Sequence, residues 1–158
     1  MAERVPMTPG GHRNLKAELK RLITEERPRA IREIEAARAH GDLSENAEYD
    51  AAKEKQGHLE GRIAQIEDRL ARAQVIDSTG QEPDVVRFGA TVVLRDVESA
   101  EEKIYTIVGE DESDVSSGLI SVSSPVARAL VGKQVDSEVQ VKVPKGIREF
   151  EILAIRYE

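Results

Sequence analysis

From Arg13 to His40 the chain has no glycine and a single proline, and apolar residues return every three or four positions: Leu15, Leu19 and Leu22, then Ile31 and Ile34. That spacing lines them up on one stripe and predicts an amphipathic helix. Pro28 falls inside the run, where a proline costs roughly 3 kcal/mol or more, so a kink or a restart is predicted, with Pro28 in the first turn of the second piece. Gly41 can supply the left-handed residue that ends this helix, with His40 in its last turn. A second helix is predicted from about Ser44 to Ala73, because Ala52, Leu59, Ile63, Ile66, Leu70 and Ala73 are separated by 7, 4, 3, 4 and 3 residues, the coiled-coil period. Two such stripes joined by a few residues fold back as an antiparallel hairpin roughly 40 Å long.

After the turn-rich stretch Asp77-Ser-Thr-Gly-Gln-Glu-Pro83 the period changes. Short apolar runs rich in β-branched residues predict strands at Ala90–Leu94, Lys103–Val108, Leu119–Val122, Glu138–Val143 and Arg148–Ile155. Ser124-Pro125, the apolar run Val126–Val131 and Gly132 supply an N-cap, a first-turn proline, a short helix and a C-terminal glycine. One helix covering a small five-stranded sheet makes this half α+β. The expected division is a helical hairpin over residues 1–78 and an α+β domain over residues 79–158.

Composition narrows the chemistry. The 158 residues include five aromatics and no Trp, too few for a base-stacking platform or an aromatic ligand pocket, so no small-molecule substrate is expected. The absence of Cys removes thiol catalysis and Cys-ligated zinc. Met1-Ala-Glu-Arg-Val-Pro leads into no long apolar run, so no signal peptide and no membrane span are read, and a cytoplasmic location is expected. Residues 1–78 carry 14 Lys/Arg against 15 Asp/Glu, whereas residues 79–158 carry 9 against 15. Within the first half, Arg13–His40 holds eight basic and five acidic residues, and Asp42, Glu45, Glu48 and Asp50 then follow with no base among them. An acidic tip ends a mildly basic shaft.

The segment His40-Gly-Asp-Leu-Ser-Glu-Asn-Ala-Glu-Tyr-Asp50 supports two readings. Asp42-Leu-Ser-Glu45 has the spacing of a capping box, which satisfies amides at a helix start. The same two carboxylates could instead help hold Mg²⁺ and position a water, but only with ligands from a partner, because Mg²⁺ demands octahedral oxygen coordination and parts with its waters reluctantly. A carboxylate pair on the end of a narrow rod suits insertion into another molecule's active site. His12, His40 and His58 have no metal-ligand spacing and are read as solvated or helix-end residues. Asp111, Glu112 and Asp114 lack the spacing of a calcium loop and are read as a solvated turn.

That tip decapeptide, with Ala36-Ala-Arg38 before it, Ala51-Ala-Lys53 after it and the later Ser121-Val-Ser-Ser-Pro-Val-Ala-Arg128, resembles the GreA/GreB family of bacterial transcript cleavage factors, and the similarity runs from Pro6-Met-Thr8 to the last strand. The resemblance implies an N-terminal coiled coil that enters the secondary channel of RNA polymerase and an FKBP-like C-terminal domain that docks on the polymerase surface. It implies that Asp42 and Glu45 help hold a second Mg²⁺ shared with polymerase, with no cofactor bound to the factor alone, and orient the water that attacks backtracked RNA. The factor would then be a non-enzymatic accessory to the polymerase's own hydrolysis. Arg38 and Lys53 match a basic patch near the 3′ end of the nascent RNA; Ser123, Ser124 and Pro125 match the polymerase-docking loop. Asn46 and Tyr49 lie beside the acids as tip support. Ser44 stands where some members carry Lys, which makes this tip more negative without touching the acid pair. Prolyl isomerase activity is not expected, because Phe88, Tyr105, Phe150 and Tyr157 are too few to line a proline pocket. The rivals are an inhibitor that fills the same channel without supporting cleavage, and a coiled-coil adaptor with no part in transcription.

Overall fold

Pro28 shapes the first helical run. The computed structural model describes residues 3–39 and 46–157. Helix α1 (Pro9–Arg21) and helix α2 (Arg27–Arg38) are joined by one π-helical turn, Leu22–Glu26, in which the Arg27 amide donates to the Leu22 carbonyl. Pro28 has no amide hydrogen, and in a plain α-helix its ring would strike the carbonyl of Thr24. The wider turn accommodates it, so the expected restart occurs without a break, and Pro28 lies in the first turn of α2. A π turn takes one residue more than an α turn. The buried seam registers this: Leu15 and Leu22 are seven apart, Leu22 and Ala30 eight, Ala30 and Ala37 seven. Ile31, which the spacing put on the seam, is therefore 44% exposed, and Ala30 takes its place.

Helix α3 (Ala47–Ala71) is 25 residues long, about 38 Å at 1.5 Å per residue. It runs antiparallel to the first helical run, as the partners show: Ala37 meets Asn46, Glu33 meets Lys55, Arg27 meets Glu60 and Glu18 meets Arg62. Ile63 and Ile66 are its deepest residues, 2% and 0% exposed, on the stripe read from the sequence. Two arginines fork onto carboxylates across the pair. Arg27 donates from Nε and Nη2 to Glu60 at 2.9 and 2.8 Å, and Arg62 from Nε and Nη2 to Glu18 at 2.9 Å each. The Arg27 hydrogen bonds hold the Glu60 carboxyl below its ordinary pKa. These pairs face solvent, so they contribute little stability, but bidentate geometry selects one sliding register.

The chain divides into two compact units, one of residues 1–3 and 12–73, the other of residues 4–11 and 74–158. In the second, strands β3 (Thr91–Asp96), β4 (Glu102–Val108), β5 (Leu119–Ser121), β6 (Glu138–Val143) and β7 (Gly146–Arg156) form a mixed sheet of order β5-β4-β3-β7-β6. Only β4 and β5 pair in parallel. Because β5 and β6 lie at opposite edges, the connection between them must cross a face of the sheet. Helix α4 (Pro125–Leu130) lies in that connection and buries Ala127 and Leu130 completely against Val92, Leu94, Ile107, Val141 and Ile152. Its expected punctuation is present: the Ser124 hydroxyl accepts from the Ala127 amide at 3.2 Å, and Gly132 has φ +87°. Phe150 is a core residue, and Phe88, Tyr105 and Tyr157 pack against the core. The Tyr157 hydroxyl donates to the Val85 carbonyl and accepts from the Arg87 amide, at 2.6 and 2.8 Å.

Two features depart from the sequence reading. Residues 4–11, assigned above to the hairpin half, cluster with the second unit. Strand β1 (Val5–Met7) pairs there with β2 (Ala73–Val75), and the Ile76 amide donates to the Met7 carbonyl at 2.8 Å. Glu112, read as part of a solvated turn, is a half-buried anchor for this segment. Its carboxylate accepts from the Thr8 amide at 3.0 Å, the Thr8 hydroxyl and the Gly109 amide at 3.1 Å. Thr8 in turn accepts from the Gly11 amide at 3.0 Å as the N-cap of α1. A Cβ at Gly11 would lie 2.1 Å from the Glu112 carboxyl carbon, so only glycine leaves room for the anchor.

Asp96 is the one charged residue buried among those described, 5% exposed. It accepts from the Ser99 and Glu98 amides at 3.1 and 2.9 Å and from Arg148 at 3.2 Å. The Ser99 amide foremost, then Glu98 and the positive Arg148, hold its carboxyl below the usual range against the opposing effect of burial.

Two measurements check these assignments. In chemical denaturation, Ile34→Ala is expected to cost ~2 to 5 kcal/mol as a buried truncation, and Ile31→Ala less than ~0.5 kcal/mol as a surface change; the reverse order would restore the uninterrupted stripe. Asp96→Asn should lower stability at pH 7. A depressed folded pKa gives stability that is present above the unfolded value, about 3.9, and lost as pH falls through the folded one. The gap between parent and Asp96→Asn in an acid titration of stability should therefore close below about pH 4; a constant gap would mean that the carboxylate's charge is not what matters.

Candidate functional site

At its bend the hairpin is fastened by residues from both arms. Helix α3 begins at Ala47, and its N-cap is Asn46, whose side-chain oxygen accepts from the Tyr49 amide at 3.0 Å. The capping box read at Asp42–Glu45 would have started the helix four residues earlier. Asn caps as well as Asp does, and Glu48 and Asp50 in the first turn complement the positive end of the helix dipole, so the later start satisfies the same demands. The other end of the Asn46 amide crosses to the opposite arm, where Nδ2 donates to the Ala37 carbonyl at 2.6 Å. Asp42 and Glu45, with His40, Gly41 and Ser44, lie outside the described residues.

A second contact bridges the arms beside this one. The Arg38 guanidinium lies over the Tyr49 ring, 6.0 Å from its centroid. Such a pairing fixes where a long cation points at little cost in exposure. Lys53 follows Tyr49 by one turn, which puts the two on one face of α3. Its ammonium reaches Gln56 Oε1 at 3.5 Å. Arg38, Asn46 and Tyr49 are thus brought into contact, and Lys53 is their neighbour by helical spacing. Neither Arg38 nor Lys53 has an ion-pair partner among the described residues, whereas Arg21, Arg27 and Arg29 farther along the first run are engaged by Glu26 or Glu60. Arg38 and Lys53 are thus cations near the bend that no described carboxylate engages. The groove between α2 and α3 just below is lined by Ala36, Ala37, Ala51 and Ala52 with Glu33, Glu48 and Lys55, so small side chains keep this end thin.

In the second unit, the three docking candidates form one turn with distinct duties. Ser124 spends its hydroxyl on the cap of α4, and Pro125 fills the first helical position. Ser123 is exposed; its hydroxyl contacts Ser121 Oγ and donates to Glu110 Oε1, both at 2.8 Å. Glu110 was not singled out in the sequence, because nothing local marks a contact thirteen residues away. Of the histidines, His58 lies 3.7 Å from Glu54 on exposed surface, and His12 lies in α1. Among the described residues no three His, Asp or Glu side chains gather closely enough to hold a metal ion, and no helix is long and apolar enough to cross a membrane.

Residues 5–75 match the domain family described as "Transcription elongation factor, N-terminal", and residues 81–157 the one described as "Transcription elongation factor, GreA/GreB, C-term". The transcription elongation factor GreA of Trichlorobacter lovleyi is 56% identical over 158 residues, covering 100% of both chains. That of Hyphomonas neptunium is 55% identical over 156 residues, covering 99% of each. Among solved structures, the GreA factor homolog 1 (Gfh1) of Thermus thermophilus is 29% identical, with a TM-score of 0.45 over 98% of this chain and 99% of that one. With family matches spanning both halves and relatives more than half identical along its full length, the chain belongs to the GreA/GreB family of transcription elongation factors.

Proposed function

We propose that the helical hairpin enters the secondary channel of bacterial RNA polymerase and brings Asp42 and Glu45 to the polymerase active site, where they stimulate hydrolysis of nascent RNA in backtracked complexes. The observation that carries this reading is the closed end of the hairpin: Asn46 and Tyr49 fasten the two arms around the segment that holds both acids, on a rod that alanines keep thin. The protein is an accessory in this scheme, and the hydrolytic machinery is the polymerase's own.

The donor set fits the cation the reaction would use. Carboxylates are hard oxygen donors suited to Mg²⁺, and two of them leave most of an octahedral shell to polymerase, RNA and water. When bound, the ion would polarise the attacked phosphate and lower the pKa of the attacking water. Asp42 and Glu45 would hold it and orient that water. Arg38, steadied by the Tyr49 ring, and Lys53 would attract phosphates near the RNA 3′ end. Ser123, Ser124 and Pro125 would meet the polymerase surface, with Ser123 and Pro125 exposed and Ser124 setting the turn that presents them.

The test is a stalled, backtracked polymerase complex carrying 5′-labelled RNA, with Mg²⁺ and a polymerase-only control. Addition of the protein should yield shortened RNA that can be extended again. Asp42→Ala should abolish that stimulation while polymerase binding stays nearly at the parent level; equal cleavage by mutant and parent would sink the role of the acid. Unchanged RNA with the protein bound would identify a channel inhibitor, and unchanged RNA without binding an adaptor outside transcription. Charge reversal, Arg38→Glu or Lys53→Glu, should weaken cleavage more at low than at high ionic strength, since salt already screens much of the attraction. A loss independent of salt would assign these residues to packing.

A further inference from the structure

Arg13, Lys16 and Lys20 stand in file on α1, all exposed, and none of them forms an ion pair among the described residues. At about 100° per residue they fall within an arc of about 60° and climb about 10 Å of helix, turned away from the buried Leu15 and Leu22. Glu18, the one acidic residue of α1, forks onto Arg62 instead. Helix stability does not account for the file. The macrodipole favours cations at the C-terminal end, which suits Lys20 but not Arg13 or Lys16. Like charges three and four residues apart repel, and Arg13 with Lys16 and Lys16 with Lys20 are such pairs. By contrast Arg21, Arg27 and Arg29, farther along the run, are each engaged by a carboxylate. A file of cations held against local repulsion, with no carboxylate to relieve it, marks a place that acts on something outside the fold.

We propose that Arg13, Lys16 and Lys20 form a binding site for the phosphate backbone of a single nucleic-acid strand. The file is one residue wide, which matches one strand. A duplex presents two strands at about one charge per 1.7 Å, and a chain of net charge −7 repels it everywhere outside the file. A protein partner would want an apolar centre to the contact; the other exposed residues between Arg13 and Lys20 are Asn14 and Ala17, and neither can anchor one. Bases are not read, because the one aromatic before Phe88 is Tyr49, and it lies under Arg38 at the bend. Recognition is therefore of phosphate charge, without sequence preference. The site does not rest on the function proposed above. Lys20 precedes Arg38 by 18 residues, about 27 Å of helix, so a short strand on α1 does not reach the cations at the bend.

The test is an NMR titration of the full chain with a short RNA strand of mixed sequence that cannot span from Lys20 to Arg38, and with the same sequence as single-stranded DNA. At low salt both strands should move the amide signals of residues 13–20. The logarithm of the affinity read from those signals should fall against the logarithm of salt with a slope of about −2, from three contacts at about 0.7 each. Each of Arg13→Gln, Lys16→Gln and Lys20→Gln should lower the affinity about threefold at low salt and make the slope shallower by about 0.7. Thermal stability should meanwhile stay level or rise, as repulsion between like charges is relieved. Equal affinity for RNA and DNA identifies phosphate alone as the recognised group, whereas tighter binding of RNA adds the 2′-hydroxyl. The site is overturned if no strand moves these signals, if the substitutions leave affinity and slope unchanged, or if polyglutamate or duplex DNA binds α1 as tightly as the single strands do. Loss of stability in step with affinity would overturn it as well, since the cations would then serve the fold.

Discussion

Pro28 has no amide hydrogen to give, and the phase of the hairpin beyond it follows from how the chain accommodates that lack. A two-helix pair has a single seam to bury, with no third layer to absorb a mismatch. A bend at Pro28 would carry one arm off the other. The π turn keeps the arm in contact by taking up one extra residue, and the buried positions resume their spacing from Ala30 onward. Arg38, whose guanidinium meets Tyr49, and Ala37, whose carbonyl meets Asn46, stand on the far side of that turn. The contacts that fasten the bend are thus set in register by an event more than ten residues earlier.

Helix ends are where the rest of the specificity is concentrated. Asn46 joins the start of one helix to the finish of another, Glu112 and Thr8 together hold the first turn of α1, and Ser124 starts α4. In each case a short polar side chain satisfies backbone groups that a helix cannot satisfy itself. The exposed Arg–Glu forks along the hairpin differ in kind. They face water and add little to stability, but they penalise sliding of one arm past the other.

The period of the apolar residues was enough to read both arms and the strand Glu138–Val143 to the residue, and Ser124-Pro125 to read the cap of α4, while at Pro28 a kink and a restart both stayed open. It failed where the deciding contact was either distant or made by backbone. Strands β1 and β2 have three residues each and find one another across most of the hairpin, so neither carries a local signal. Ile31 was assigned to the seam because the sequence announces that Pro28 must be accommodated but not which kind of turn will do it. At the bend, Arg38, Asn46, Tyr49 and Lys53 were all legible as candidates, yet the partner of Asn46 was not, because a carbonyl is present at every residue. The cap of α3 is Asn46, immediately after the Asp42-Leu-Ser-Glu45 segment in which a capping box was read and which lies outside the described residues. The role proposed for the segment came from resemblance, since two carboxylates three residues apart are as good for a helix start as for a cation.

The π turn also decides which kinds of inherited change the hairpin can absorb. Each residue of an α-helix turns the chain by about 100°, so losing one residue from Leu22–Glu26, or gaining one between Pro28 and Arg38, would swing the Ala37 carbonyl and Arg38 around the helix and away from α3. Loops ordinarily accept such length changes; this stretch accepts them only in whole seven-residue repeats, which keep the phase, and only when α3 lengthens or shortens in step. Over evolutionary time the arm is then free to vary in composition on its outer face while its length is held fixed, and the number of residues between Leu22 and the bend becomes a heritable trait in its own right.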